Sequence, residues 1–344
     1  MVAHLQSRTR RWLALGMLAS VFVPLVGCGR SSTTDASQVE VSTLDQARSE
    51  LRSYVEDVTQ ATASRYGVMD DRGNVMDTVK IIAVPEAGGF AGVYHTYRDD
   101  TGAFSVHLAT LSDLMNWTWR VELASEASQP TIKPALDGGY VVAWEVTRVQ
   151  EPDINLRFAY YSSWQELLAG APAKTFDAPL RLSSCGEGTA NLYSASSTFL
   201  DVGFHFYANC DLDRQARGAT DWRSWSATAQ GQIDGTILAH GVEGNIGDRD
   251  ALSFKGFNFT LIEGQVIKND WLSWRVFLYD DETGEAEPLN IRTRAGSVAF
   301  ANPTIELVEI DGQKAILVAL YLPGEGAEAG QLIYYRTYEP VDPG

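Results

Sequence analysis

One acidic residue between two glycines is the feature of this sequence that most suggests chemistry. In the stretch Cys185-Gly186-Glu187-Gly188-Thr189-Ala190-Asn191-Leu192, the acid Glu187 precedes a run with a β-strand pattern, Leu192 to Leu200. A carboxyl group held at the mouth of a strand can donate a proton to a leaving group. Glu187 is therefore the first candidate for a catalytic acid.

Further carboxylates precede other segments with a β-strand pattern. Asp77 opens the β-rich part of the chain, and Asp248 and Asp250 lie close together in Gly247-Asp248-Arg249-Asp250. Two carboxyl groups that flank a glycosidic bond can hydrolyse it, and about 6.5–9.5 Å separates them when water attacks directly. Asp248 and Asp250 could adjust the proton affinity of Glu187 or replace Asp77 as the base. Each acid alone is equally compatible with a turn or a surface ion pair.

A near-constant spacing of similar segments predicts the fold. Alternating apolar runs and glycine-rich turns continue from about residue 77 to the C terminus. Intervals of 53, 60, 60 and 53 residues, each enough for four short strands, separate the positions taken as equivalent: Asp77, Pro130, Ala190, Asp250 and Pro303. We predict an all-β, five-bladed β-propeller over residues 70–344, whose last blade takes its outermost strand from residues before 77. A two-sheet sandwich is the alternative, but it gives no reason for equal spacing.

The first strands of a propeller converge on one end of the central channel, and the loops after the second strands open there too. These positions carry the predicted substrate-binding residues: His95, Gln129, Glu145, Arg148, Asp211, Arg214, Asp250, Gln265 and Asn302. Such a rim could bind sugar hydroxyls through paired polar groups, and Trp144 or Trp271 could offer an aromatic face. Packing between blades is the alternative role for the two tryptophans.

The first 27 residues have the composition of an export signal. Arg8, Arg10 and Arg11 precede an apolar segment that is too short for a membrane span of about 20 residues. The segment ends in Leu25-Val26-Gly27-Cys28, which looks like a bacterial lipobox and predicts a lipid on Cys28. An ordinary secretory leader is the alternative. We expect a polar tether over residues 28–42, an amphipathic helix over residues 43–62, and a protein outside the cytoplasm, anchored to the outer membrane or cell surface.

The charge balance narrows the classes of partner. The chain has 44 acidic and 27 basic side chains and a formal net charge of −17, and removing the leader makes it more acidic. This balance is unsuited to nucleic acid, or to anionic lipid through charge, and suits a neutral ligand or a metal ion. We expect a monomer that binds carbohydrate and needs no cofactor, although the acid count permits Ca²⁺.

Two cysteines remain if Cys28 carries lipid. In an oxidising compartment an even pair predicts a disulfide, here between Cys185 and Cys210. Cys185 lies just before the first strand of the third repeat, and Cys210 follows the second strand, roughly residues 203–209. These two positions adjoin in an antiparallel hairpin.

A propeller with an acid ahead of its third blade resembles the five-bladed glycosidases of the family-43 and family-32 type, such as arabinofuranosidases, xylosidases and invertases. Leu111-Ser112-Asp113-Leu114-Met115-Asn116-Trp117 is similar to their S-x-D-L-x-x-W turn, and the x-Pro openings at Pro130 and Pro303 are further similarities. The resemblance implies that Asp77 is the base and Glu187 the acid of a hydrolase of furanoside or pentoside glycans.

The sequence departs from the pattern of these enzymes at two positions. Gln129 stands where they have an aspartate that adjusts the pKa of the acid, and Ala190 replaces the proline that commonly follows the acid. A propeller that binds carbohydrate or another surface component without catalysis is therefore the alternative function.

Overall fold

The computed structural model describes residues 36–111, 116–148, 153–324 and 328–338. Within these ranges the chain forms five four-stranded antiparallel sheets. The first strand of each sheet contacts the first strands of its neighbours, so the five sheets surround a common axis as the blades of a propeller. The predicted fold class is confirmed. No helix in the described ranges is long and apolar enough to cross a membrane.

Blades 1 to 4 are each built from four consecutive strands, numbered here from the axis outward. Blade 1 comprises β2 (Asp77–Val84), β3 (Gly89–Arg98), β4 (Ala103–Leu111) and β5 (Thr118–Ser125). Blade 2 comprises β6 (Ala127–Pro134), β7 (Tyr140–Val146), β8 (Asn155–Tyr161) and β9 (Lys174–Asp177). Blade 3 comprises β10 (Glu187–Ala195), β11 (Leu200–Ala208), β12 (Leu212–Thr220) and β13 (Trp225–Ala229). Blade 4 comprises β14 (Ile246–Phe254), β15 (Phe257–Gln265), β16 (Trp274–Asp280) and β17 (Ala286–Pro288).

Blade 5 joins the two ends of the propeller. Its inner strands are β18 (Ala301–Ile310), β19 (Gln313–Leu322) and β20 (Gly330–Thr337), and its outermost strand is β1 (Ala63–Tyr66). The strand β1 pairs antiparallel with β20, with Ala63 opposite Tyr335. This pairing covers the outer edge of β20 with backbone from the start of the propeller. The prediction that residues before 77 supply this strand is confirmed.

The N-terminal helix differs in extent from its prediction. Helix α1 spans Ala36–Glu56 and is followed by a 3₁₀ turn at Val58–Gln60, so it begins within the predicted tether and ends six residues before the predicted end at residue 62. Leu44, Leu51 and Val55 pack into the apolar core formed by blades 4 and 5. The chain leaves the helix at Glu56 because it must then extend to form β1. Short helices α2 (Trp164–Leu168) and α3 (Gly231–Leu238) lie in connections.

Strand pairing corrects the predicted alignment of the repeats. Each first strand contains a register shift near its start, such as that between Asp77 and Lys80, and one extra residue is accommodated there as a β-bulge. Equivalent positions, defined by their second-strand partners, are Asp77, Ser128, Gly188 and Ala301. Asp77 is therefore two residues out of step with Pro130 and Pro303. The bulge interrupts the two-residue alternation of a strand, so the pattern could not reveal this offset.

Candidate functional site

A cavity of about 800 Å³ lies at the end of the channel where the first strands begin. This volume is within the usual range for small-molecule sites. Its walls include residues from all five blades. The predicted site residues that line it are Asp77, His95, Gln129, Glu145, Glu187 and Asn302. The structure thus brings the proposed acid and the proposed base into one cavity.

Glu187 is a buried carboxylate at the first residue of β10, which begins five residues before the predicted run at Leu192. The equivalent positions in blades 1, 2 and 5 are buried and apolar: Met76, Ala127 and Phe300. Oε1 accepts hydrogen bonds from the backbone N–H groups of Arg181 (2.6 Å), Leu182 (2.5 Å) and Ser183 (3.3 Å). Oε2 has no partner among the described residues. An acid in a core position with one free oxygen is costly to bury, which indicates a specific role.

Asp77 opens β2 in blade 1 and directly faces His95 on β3. Its Oδ1 is buried and has no hydrogen-bond partner in the described structure. Burial raises the pKa of the Asp77 carboxyl to about 6, because removal from water disfavours the charged form. At neutral pH this carboxylate is ionised and can accept a proton.

The ring of His95 is held in one tautomer. Its Nδ1 accepts a hydrogen bond from the backbone N–H of Gln129 (2.9 Å) and lies 2.9 Å from the hydroxyl of Thr78. A backbone N–H can only donate, so Nδ1 carries no proton. Burial lowers the pKa of His95 to about 3, and the neutral ring therefore carries its proton on Nε2. His95 can offer this N–H as a hydrogen-bond donor.

Second-strand side chains fix the bulge of the next blade in three places. Gln129, Thr189 and Asn302 have φ values of 49°, 44° and 48°, a left-handed conformation that is uncommon outside glycine. Their N–H groups are bound by His95, Glu145 and Glu263, each from the second strand of the preceding blade. The bonds offset part of the backbone strain and hold the cavity floor in one shape.

Glu145 illustrates how closely this floor is packed. Its Oε1 accepts hydrogen bonds from the N–H and the hydroxyl of Thr189, both at 2.8 Å, and its Oε2 accepts one from Ser128 (2.9 Å). A Cβ atom on Gly188 would lie 2.2 Å from Glu145 Oε1. A glycine is therefore needed after Glu187 because the Glu145 carboxylate occupies the place of a side chain.

Several predicted binding residues lie outside the cavity lining and stabilise loops instead. Asp211 pairs with Lys268, and Arg214 donates to the carbonyl oxygens of Asp213 and Gly244. Gln265 accepts a hydrogen bond from the N–H of Asn269. Loops that follow second strands do reach the rim, but these side chains turn back onto backbone and neighbouring loops.

Two further predicted binding residues interact with charged side chains outside the cavity. Arg148 lies near Asp177 on the outer strand of blade 2. The pKa of the Asp177 carboxyl is lowered mainly by Arg157 and additionally by Arg148. Asp250 is buried at the axis, where it forms an ion pair with Lys80 (Nζ–Oδ2 2.5 Å). Its pairing removes Asp250 from the candidates for tuning Glu187 by direct contact in the cavity.

Some predicted features fall outside the described part of the chain. The backbone of Asp248 belongs to β14, but its side chain is not described, so its suggested role as the base remains a prediction. Cys28 lies outside the described residues, as do positions 112–115 of the Leu111–Trp117 motif.

The cavity also contains polar residues that the sequence did not single out as binding residues. They are Ser128, Thr189, His205, Tyr207, Asn245 and Tyr321. His205 directly faces Gly188, and its Nε2 lies 3.7 Å from Asp213 Oδ1. The signal that could have found His205 is its position: it occupies the same second-strand site as His95 and Glu145.

The two tryptophans considered for stacking have different environments. Trp144 is buried and packs in the apolar core between blades 1 and 2. Trp271 is 66% exposed and lines the cavity. Trp271 can therefore present an aromatic face to a ligand, whereas Trp144 cannot.

The predicted disulfide between Cys185 and Cys210 is present, with their Cα atoms 5.5 Å apart. It closes a loop of 25 residues that contains Glu187. Replacing both cysteines by serine is expected to lower the free energy of unfolding by about 3–4 kcal/mol. Urea denaturation of exported protein, with unreduced and reduced wild type as references, measures this change. A loss below about 1 kcal/mol would contradict the expected constraint on the unfolded chain.

No group of three or more His, Cys, Asp or Glu side chains suited to a metal ion occurs among the described residues. Three of the carboxylates bind other groups of the protein: Glu145 and Glu187 accept from backbone N–H groups, and Asp250 pairs with Lys80.

Comparisons with known proteins identify the fold. No protein-family model and no curated protein matches the chain. Similar solved structures include a glycoside hydrolase with a TM-score of 0.57 and 11% identity, where the match covers 86% of this sequence and 96% of that protein. An exo-1,5-alpha-L-arabinanase from a bovine ruminal metagenomic library has a TM-score of 0.52 and 10% identity, with coverage of 78% and 95%. An alpha-L-arabinofuranosidase from Lactobacillus brevis has a TM-score of 0.52 and 9% identity, with coverage of 78% and 92%. The predicted resemblance to five-bladed glycosidases is confirmed at the level of the fold.

Proposed function

We propose that this protein is a glycoside hydrolase that acts on furanoside or pentoside glycans. The observation that carries the proposal is that Asp77 and Glu187 line the same cavity. Each carboxylate keeps one oxygen without a hydrogen-bond partner among the described residues. Two carboxyl groups facing a shared space are the minimum that acid–base cleavage of a glycosidic bond requires.

The surroundings of the two carboxylates suggest a division of roles. Glu187 is fixed through Oε1 by three backbone N–H groups, so a proton for the glycosidic oxygen would sit on Oε2. Burial raises the pKa of the Asp77 carboxyl to about 6, so above that pH Asp77 is ionised and can act as a base. It would activate the attacking water, and the N–H of His95 and the carboxamide of Gln129 would bind sugar hydroxyls.

The neighbours support an arabinose-containing substrate. An arabinanase and an arabinofuranosidase share the fold over about 78% of this chain. We therefore expect arabinan oligomers to be cleaved in preference to xylan or fructan oligomers. Incubation of the purified protein with these three sets, followed by product detection, tests the proposal. A variant that carries both Asp77→Asn and Glu187→Gln is the control for contaminating activity.

Binding without turnover remains the second candidate function. Its specific support is Gln129, which lines the cavity where the resemblance would have an aspartate. An oligosaccharide that binds in the cavity but stays intact over prolonged incubation would favour this function over hydrolysis.

We propose that Trp271 stacks on a sugar ring next to the one bound between Asp77 and Glu187. Truncation in Trp271→Ala is expected to raise KM or Kd for oligosaccharides roughly threefold to tenfold, because an aromatic contact contributes about 0.5–1.5 kcal/mol. Leu136→Ala is the matched control, since Leu136 is 82% exposed and lies outside the cavity lining. An unchanged KM and Kd in Trp271→Ala would contradict the stacking role.

We also propose that the mature protein begins at a lipid-modified Cys28 and is held outside the cytoplasm. The support is the lipobox-like sequence Leu25-Val26-Gly27-Cys28 after a basic and apolar leader. Mass spectrometry of the exported protein should find the leader removed and a diacylglyceryl group on Cys28. An unmodified cysteine, or cleavage at another position, would rule this out.

A further inference from the structure

The cavity carries an unusual balance of charge. Five carboxylate side chains line it: Asp77, Glu145, Glu187, Asp213 and Glu263. Its described lining contains no lysine and no arginine. Two basic residues of adjoining loops are bound elsewhere: Lys268 pairs with Asp211, and Arg214 donates to two backbone carbonyls. A group that enters this cavity therefore meets a negative potential, with no lysine or arginine in the described lining to offset it.

The unsatisfied polar atoms of the cavity also have one character. Asp77 Oδ1, Gln129 Oε1 and Glu187 Oε2 are buried oxygens without a partner among the described residues, and the Glu187 residue is only 2% exposed. Asp77 Oδ1 and Glu187 Oε2 are hydrogen-bond acceptors when their carboxyl groups are ionised, and Gln129 Oε1 is an acceptor in any state. Buried acceptors without donors are costly, so the matching ligand supplies hydroxyl or ammonium groups and not further oxygen anions.

We propose that the cavity selects sugar residues by charge. Uncharged residues enter it, a protonated amine on the sugar strengthens binding, and residues that bear a carboxylate or a sulfate are excluded. The identification of the ligand as a sugar rests on the proposed function. The selection by charge rests on the five carboxylates and the three free acceptors. In a mixed glycan, the residue bound centrally would be a neutral or amino sugar, with acidic residues remaining outside the cavity.

Matched methyl glycosides test this selection. Methyl glucoside, its 2-amino-2-deoxy analogue and methyl glucuronide differ mainly in charge, and a galacto series repeats the comparison. Binding is followed by NMR titration of the ring resonances of His95 and His205, which both line the cavity. We expect Kd for the uronide to exceed that for the neutral glycoside at least tenfold. The amino sugar should bind at least as tightly as the neutral one.

Charge variants link the selection to the cavity. Asp213→Asn removes one lining carboxylate that has no assigned catalytic role, and it should reduce the ratio of uronide to neutral Kd by about threefold. Asp311→Asn is the control, because Asp311 lies in the exposed turn between β18 and β19, and it should leave the ratio unchanged.

The outcomes separate this inference from the proposed hydrolase. Equal binding of the uronide and the neutral glycoside, or no shift of either histidine with any glycoside, would overturn the selection by charge. If the expected order is found but no glycan is cleaved, the charge inference stands and the hydrolase proposal fails. If arabinan is cleaved but the uronide binds as well as the neutral sugar, the hydrolase proposal stands and the charge inference fails.

Discussion

Asp77→Asn and Glu187→Gln are each expected to lower kcat/KM by about 10²–10⁴-fold, the usual contribution of one general acid or base. Both changes preserve side-chain shape but remove the negative charge and the ability to exchange a proton. The amide oxygen of a glutamine at position 187 can still accept from the N–H groups of residues 181–183, which now bind Glu187 Oε1. The fold and the cavity should therefore remain intact.

The control for these variants is Asp213→Asn, which changes another carboxylate of the same cavity. It is expected to retain most of the activity on a neutral oligosaccharide because Asp213 has no assigned proton-transfer role. Urea midpoints for all three variants establish that folding is preserved. Near-wild-type activity in Asp77→Asn or Glu187→Gln would remove that residue from the catalytic pair.

The pH profile offers a second test of the base. Burial raises the pKa of Asp77 to about 6, so protonation begins to remove the base as the pH falls through this value. The kcat/KM of the wild type should decline below about pH 6, and the residual activity of Asp77→Asn should lack this decline. A profile that stays flat down to pH 4.5 would argue against Asp77 as the base.

The sequence was sufficient to predict the parts of this fold that repeat. The x-Pro segments at Pro130 and Pro303 and the glycine-rich turns indicated five similar units, and the short last unit indicated closure by residues before 77. The positions of Cys185 and Cys210 at adjoining ends of a hairpin gave the disulfide. These features are encoded locally or by simple periodicity, so they can be read without knowing which side chains meet.

The functional site was harder to predict from the sequence than the fold, because its contacts join distant parts of the chain. The bulge in each first strand shifts side-chain direction. The sequence pattern therefore aligned Asp77 with Ala190, whereas strand pairing makes Asp77 equivalent to Gly188, the residue after Glu187. The pairing of Asp250 with Lys80 spans 170 residues. A sequence pattern shows that an acid precedes a strand, but it does not show whether a lysine from another blade neutralises that acid.

Lys80→Met is expected to destabilise the propeller by about 3–5 kcal/mol, the cost of leaving a buried charge without its partner. Lys80 Nζ donates to Asp250 Oδ2 (2.5 Å) and to the carbonyl oxygen of Ile305 (2.9 Å), and it lies 2.9 Å from Glu306 Oε2. The Lys80 and Asp250 side chains are only 7% and 6% exposed. These bonds join blades 1, 4 and 5 at the axis, so their loss acts on the centre of the molecule.

The physical cause of this loss can be isolated with a second substitution. Lys80→Met leaves Asp250 ionised and buried, whereas the double variant Lys80→Met/Asp250→Asn removes the unpaired charge. The double variant should recover about half or more of the lost stability, because the remaining defect is a set of imperfect hydrogen bonds. Lys314→Met, at an exposed position of blade 5, should change the free energy of unfolding by less than about 0.5 kcal/mol.

The dependence of the loss on pH follows from Asp250. Burial raises the pKa of its carboxyl above the ordinary value of 3.8, and in Lys80→Met the lysine no longer opposes this effect. A raised folded-state pKa means that the folded variant is penalised when the carboxyl is ionised. The destabilisation should therefore be smallest below about pH 4, grow as the pH rises through the folded pKa, and be full above it. Urea denaturation of the wild type and Lys80→Met at pH 4, 5.5 and 7 measures this trend, and a loss that is equal at all three values would show that Asp250 does not carry it.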